Sequence, residues 1–179
     1  MTLVSVVIVS MNNLHNLQIC LNSFLNCKKY SFEIFVVAYL YSEKNLEKIK
    51  SDYPYVRIVE SREIRGFSEN NNLALRQVES EFCFVINDDT SFDVDVIAGL
   101  VDSFNKISDS KLAVVSPVTL NGDGTIQRCG KPKYNLFTVV LSQLKLIGIY
   151  EKLSSKTNKI GLFQTYNISG ACFFIKTNI

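Results

Sequence analysis

Histidine is nearly absent from the sequence. His15, the only one among 179 residues, stands at the start of the first predicted helix, where a surface or capping role is expected rather than catalysis. Glycine-rich phosphate loops are missing as well. The segment after the first predicted strand, Ser10-Met11-Asn12-Asn13, contains no glycine, which argues against a nucleotidyltransferase. No G-x-G-x-x-G follows a strand, so dinucleotide binding is excluded on the same ground. Long apolar runs are lacking too. The longest apolar-rich stretch, Leu136 to Tyr150, is interrupted by Ser142, Gln143 and Lys145, and falls short of the roughly 20 apolar residues of a spanning helix. The apolar stretch Leu3 to Val9 has no basic residues before it and no small-residue cleavage site after it. It reads as a buried strand and not as a signal peptide.

Paired metal-ligand spacing is absent among the cysteines. Cys20, Cys27, Cys83, Cys129 and Cys172 are five in number, widely spread and mostly inside apolar runs, which points to reduced core thiols and a cytoplasmic protein. A net charge of +2 gives no mandate for binding nucleic acid, so any phosphate site must be local. There is no repeat, linker or low-complexity tract. What remains is a chain with 47% hydrophobic and 20% charged residues, enough to bury an ordinary core as one α/β domain across residues 1–179.

Apolar, β-branched runs alternate with helical periodicity, the pattern of βαβ units and a mostly parallel, Rossmann-like sheet flanked by helices. Val4 to Ser10 is the first predicted strand. Leu14, Leu17, Leu21, Phe24 and Leu25 then fall on one helical face, and Phe32 to Ala38 returns to the sheet. Ser42 is placed to cap a helix that Pro54 ends before the strand Val56 to Glu60. Ser68 is expected to cap a helix running toward Val78, and Phe82 to Ile86 reads as a central strand. Thr90 and Asp93 have capping-box spacing ahead of a helix burying Val94, Ile97, Val101 and Phe104. Leu112 to Ser116 resumes the sheet. Asn121-Gly122-Asp123-Gly124 has hairpin-turn chemistry, Phe137 to Ile149 is predicted helical and Ala171 to Ile175 extended.

Ligands of such a sheet bind beyond the carboxyl ends of its strands, where loops converge and helix N-termini present unpaired amides. Four polar loops are predicted on that edge: Ser10 to Asn13, Ala38 to Ser42, Arg62 to Ser68, and Asn87-Asp88-Asp89. The last follows a strand without polar residues, so the sheet holds its carboxylates at a fixed point. Hard oxygen ligands on a rigid support suit Mg²⁺ or Mn²⁺ bridging to a diphosphate. An isolated Asn-Asp-Asp is more often a solvated turn that caps the next helix. Its position and its companion loops favour the metal reading here.

Taken together, Val4-Ser5-Val6-Val7-Ile8-Val9-Ser10-Met11-Asn12-Asn13, Cys20-Leu21-Asn22-Ser23, Arg65-Gly66-Phe67-Ser68 with Asn72, and Phe84-Val85-Ile86-Asn87-Asp88-Asp89-Thr90 resemble the family 2 glycosyltransferases in order and spacing. The rhamnosyltransferase-like branch is most similar, through Asn121-Gly122-Asp123-Gly124-Thr125-Ile126-Gln127 and Ser169-Gly170-Ala171-Cys172-Phe173-Phe174-Ile175-Lys176. This resemblance implies a GT-A fold and transfer of a sugar from a nucleoside diphosphate sugar, with inversion, to a glycan or lipid-linked acceptor in polysaccharide assembly. It implies Asp89 as the metal ligand, with Asn87 and Asp88 as substrate-binding residues at the other motif positions, the first of them facing the donor's ribose or phosphates. Ser10 and Asn12 match the loop around the nucleotide, Arg65 and Gly66 the third loop, Asn72 the helix that follows it, and Gly170 and Ala171 the small residues beside the donor sugar.

Where the family commonly places a base-recognising acid followed by Asn, this chain has Ala38 and Tyr39. Tyr39 or Tyr41 can replace that contact by stacking on the base. Met11 and Ile64 replace an aromatic and an Asn. The family's catalytic base belongs to an acceptor-binding segment expected beyond Ile179, so no catalytic residue is assigned and the stretch is expected to be C-terminally incomplete. A non-catalytic nucleotide-sugar-binding module is the competing reading. Phe137, Val140, Leu141, Leu144 and Ile147 form an apolar stripe suited to peripheral membrane contact, although such stripes are more often core.

Overall fold

Eight residues dominated by valine and isoleucine, Val4–Met11, form β1 in the computed structural model. Residues 2–107, 109, 112–127, 135–154, 161–165 and 168–177 are described. They group into two compact units, one comprising Met1–Val115 with Ala171–Ile179 and the other Ser116–Gly170.

In the first unit, β1 lies between β2 (Phe32–Tyr39) and β4 (Phe82–Asn87) and pairs with both in parallel. A strand flanked on both sides and covered on both faces must be apolar almost throughout, which explains the composition of β1. Next to β2 lies β3 (Val56–Ser61), also parallel. Beyond β4 come β6 (Cys172–Lys176), antiparallel to it, and the two-residue β5 (Val114–Val115), giving the order β3-β2-β1-β4-β6-β5. The parallel sheet flanked by helices thus agrees with the sequence reading, with an antiparallel edge that its periodicity did not specify.

Alternation along the strands sends successive side chains to opposite faces. On one face, Val4, Val6, Ile8, Phe84 and Ile86 pack with Leu17, Cys20 and Leu21 of α1 (Leu14–Ser23), Ile49 of α2 (Glu43–Asp52) and Ile97, Leu100 and Val101 of α4 (Val96–Lys106). On the other, Val7, Phe35, Val37, Cys83 and Val85 pack with Ala74 of α3 (Phe67–Leu75). Each fully buried large apolar side chain contributes about 1.5–3 kcal/mol. The ion pairs lie on the surface, where solvent screening leaves them minor. Burial therefore fixes the sheet, and the sheet fixes its loops. The four described cysteines, Cys20, Cys27, Cys83 and Cys172, are buried and free, as the sequence suggested; Cys129 lies outside the described residues.

Two helix starts differ from expectation. Ser42 does cap α2, its side chain accepting from the Asn45 amide at 3.3 Å. The cap of α3 is Gly66 instead of Ser68, and Glu69 accepts from the Gly66 N–H at 2.8 Å. The cap of α4 is Asp95, which accepts from Ala98 N–H at 2.8 Å, and not the Thr90/Asp93 pair. Asp95 wins because its other carboxylate oxygen also accepts from the amides of Lys28 and Lys29, at 2.9 and 3.1 Å. Val94, ahead of that cap, is 60% exposed and not part of the core.

The second unit contains the turn read from sequence. Leu120 and Ile126 form an antiparallel bridge, Asn121 N–H donates to Thr125 O at 2.8 Å, and Gly124 takes φ +81°, a conformation glycine adopts freely. The helix predicted over Phe137 to Ile149 is two helices, α5 (Leu136–Gln143) and α6 (Ile147–Ser154). The break falls at Lys145, whose φ of +58° cannot continue a right-handed helix. Asn135 caps α5 by accepting from Thr138 N–H at 2.9 Å. Phe137, Val140 and Leu144 of the apolar stripe are exposed. Among the described residues no helix is long and apolar enough to cross a membrane.

Candidate functional site

The chain adds β2 and β3 on one side of β1 and then β4 on the other. Strand order reverses there, and the carboxyl ends of β1 and β4 form the switch point at which open α/β sheets bind ligands. The register pairs Val9 with Asn87, so Ser10 and Asp88 are the next residues out on facing strands. They meet: Ser10 Oγ donates to Asp88 Oδ2. Tyr41 closes the group from the β2–α2 connection, its hydroxyl 2.6 Å from Ser10 Oγ.

The Asn87-Asp88-Asp89 turn is held from three further directions. The Asn87 N–H donates to Ala171 O at 2.9 Å, continuing the β4–β6 pairing. Thr90 Oγ1 donates to Asn87 O at 2.6 Å. From beneath, the buried Cys20 thiol points at the same carbonyl at 3.8 Å. Burial, with the Asp88 charge adding to it, pushes that thiol up to about 12, so it is an inert packing group. Asp88 is partly buried, and burial raises its pKa; the Ser10 bond opposes this and the neighbouring Asp89 charge adds to it. Burial likewise raises the pKa of Tyr41, with the Ser10 bond opposing and Asp88 reinforcing. Asp89 is exposed and makes no hydrogen bond or ion pair among the described residues.

The remaining candidates divide between loop architecture and open surface. Asn12, at φ +49°, turns its Oδ1 to the α2 N-terminus, accepting from Ser42 N–H at 3.2 Å and Asn45 Nδ2 at 3.0 Å. Ala38 is the penultimate residue of β2, opposite Ser10 and Glu60, and is 2% exposed. Tyr39 is more open, and its hydroxyl accepts from the Arg65 N–H at 3.3 Å, drawing the third loop toward the β2 end. Arg65 pairs with Glu63, while its Nε is buried without a partner among the described residues. At Gly66 a methyl group would meet Glu69 Oε2 at 3.6 Å, an ordinary contact, so its backbone does not demand glycine. Asn72 is exposed on α3. Gly170 and Ala171 form the turn into β6.

Of the residues predicted on the carboxyl edge of the sheet, Ser10, Asn87 and Asp88 come together with Asp89 beside them, and Ala171, named through the family resemblance, accepts from the Asn87 N–H. Sequence reading missed the roles of Asn70 and Asn71, which are buried while Asn72 is not. It also offered Tyr41 as a stacking group, whereas the ring packs against the main core and the hydroxyl reaches Ser10. No residue pattern in the sequence announced that contact, which spans 31 positions.

Two adjacent carboxylates on a rigid strand end suit one hard divalent cation. Among the described residues no group of three metal-binding side chains is preassembled. A Mg²⁺-like ion held by one or two carboxylates and completed by phosphate oxygens and water needs no more.

The sequence model described as glycosyl transferase family 2 matches residues 5–176. The fold is similar to that of a mannosyltransferase from Pyrobaculum calidifontis in complex with GDP-Man and Mn²⁺, at TM-score 0.54 and 19% identity, covering 66% of this chain and 35% of that one. It is similar to S. aureus TarS 1–349 at TM-score 0.54 and 18% identity, covering 75% and 42%. A complex of S. aureus TarS 1–349 with UDP gives TM-score 0.52 and 16% identity, covering 66% and 42%. The chain therefore spans about two-fifths or less of the length of these solved structures. No curated protein matches it.

Proposed function

The chain belongs to glycosyl transferase family 2, and on that premise we propose that it binds a nucleoside diphosphate sugar at the β1/β4 switch point, with Mg²⁺ or Mn²⁺ on Asp89. The sugar is passed with inversion to a glycan or lipid-linked acceptor, and residues 1–179 serve as the donor-binding domain. The observation that carries this reading is the Ser10–Asp88 bond across the switch point, which anchors one carboxylate and leaves Asp89 free beside it. The similar mannosyltransferase was solved with GDP-Man and Mn²⁺, and TarS with UDP, which supports a nucleotide-sugar donor.

When bound, the cation supplies charge neutralisation for the departing diphosphate. This chain's residues do the rest by position. Asp88, braced by Ser10, faces the donor, and the exposed Asp89 meets the cation at a fixed strand end. Preorganisation of this kind avoids reorientation as charge develops. Ala38 offers only a buried methyl group where a carboxylate would read the base. Tyr39 beside it is only partly buried and offers a ring for stacking, which holds a base and discriminates poorly.

Calorimetry of wild type and Asp89→Ala with UDP and GDP, each with Mn²⁺ and with chelator, tests the assignment. Mn²⁺ should tighten binding to wild type by about tenfold or more, the effect of one charge-assisted contact, and should do nothing for Asp89→Ala. Equal enhancement in both proteins would remove Asp89 from the site.

A further inference from the structure

Tyr41 lies outside every motif that carries the family resemblance, yet it is the outer member of a hydrogen-bonded chain ending at the metal-site turn. Its ring packs against the main core cluster and its hydroxyl lies 2.6 Å from Ser10 Oγ. Ser10 is fully buried and donates to Asp88.

Counting protons fixes the direction of the chain. An ionised carboxylate only accepts, and a serine hydroxyl has a single proton to give. Ser10 spends that proton on Asp88, so the proton between Tyr41 and Ser10 must come from Tyr41. A hydroxyl that receives a hydrogen bond donates a stronger one, because chains of such bonds polarise one another. At 0% exposure no solvent reaches Ser10 to replace the tyrosine.

We propose that Tyr41 is a positioning residue for the donor site: by donating to Ser10 it fixes the Ser10 hydroxyl toward Asp88. It thereby holds the Asn87-Asp88-Asp89 turn in the orientation that receives cation and diphosphate. The inference rests on the donor-site reading above and adds a residue that no motif assigns. It also ties the β2–α2 connection to the β4 turn, since the same connection carries Ser42 and its bond to Asn12.

The test is a double-mutant cycle on nucleotide binding with Tyr41→Phe, Ser10→Ala and the double variant, using UDP and GDP with saturating Mn²⁺ and with chelator. Tyr41→Phe keeps the packed ring and removes the proton alone. It should weaken Mn²⁺-supported binding about three- to tenfold, the range of one net hydrogen bond, and leave metal-free binding and melting temperature near wild type. In the Ser10→Ala background it should have no further effect. Wild-type affinity in Tyr41→Phe, equal weakening with and without metal, or additive effects of the two substitutions would each overturn the proposal. If wild type binds neither nucleotide with Mn²⁺, the donor-site reading itself fails, a result distinct from all three.

Discussion

Asn70 shows how one side chain can set a loop. It is 2% exposed; its Oδ1 accepts from Ser61 Oγ at 2.7 Å, and its Nδ2 donates toward the carbonyls of Arg65 and Gly66, both at 3.3 Å. It therefore ties the end of β3 to the start of α3 and shapes the third loop. Asn70→Ala would leave the buried Ser61 hydroxyl without its acceptor, a loss of about 1–3 kcal/mol. Asn72→Ala, on an exposed face, should stay within about 0.5 kcal/mol. Urea denaturation of the two variants checks this, and equal losses would contradict it. The sequence placed three asparagines in a row but could not say which faces inward, because a helix separates neighbours by about 100°. Ala38 was opaque for a related reason: its place beyond or within β2 depended on a boundary that periodicity does not resolve. The carboxylates of Asp88 and Asp89 were legible, since a polar turn after five wholly buried apolar residues, Phe82 to Ile86, can only lie at a strand end.

At the scale of elements, α4 depends on Asp95. Burial alone would raise the pKa of this carboxyl, but N–H bonds from Lys28, Ala98 and Lys29 outweigh it, and the net pKa is lowered. A carboxyl whose folded pKa is depressed stabilises the fold above its unfolded value, and that contribution is lost as pH falls through the folded pKa. Asp95→Ala should cost about 1–2 kcal/mol at neutral pH, the worth of a strong N-cap. The gap from wild type should shrink below about pH 4, near the unfolded value for Asp. Chemical denaturation at pH 7 and at pH 3 measures both, and a gap independent of pH would contradict the charge-assisted cap. Strands and helices of the first unit were legible because their apolar periods are strong. Their exact caps were not, since several of Ser, Thr and Asp precede each helix and tertiary partners choose among them, as the amides of Lys28 and Lys29 choose Asp95.

For the whole molecule, the alternation of strands and helices announced a parallel sheet, yet the reversal of strand order at β1 depends on pairing across 78 positions between β1 and β4. Only the family resemblance pointed to that arrangement from sequence. The donor is proposed to bind at this reversal, and metal-coupled nucleoside diphosphate binding there is the central claim. Paramagnetic broadening of backbone amide resonances by substoichiometric Mn²⁺ in the presence of UDP or GDP locates the ion directly. Broadening should begin at Asp88, Asp89 and Thr90, extend to Ser10, and vanish in Asp89→Ala. Broadening centred on another acidic site, such as the turn at Asp123, with the Asp88 and Asp89 amides unaffected, would contradict the account.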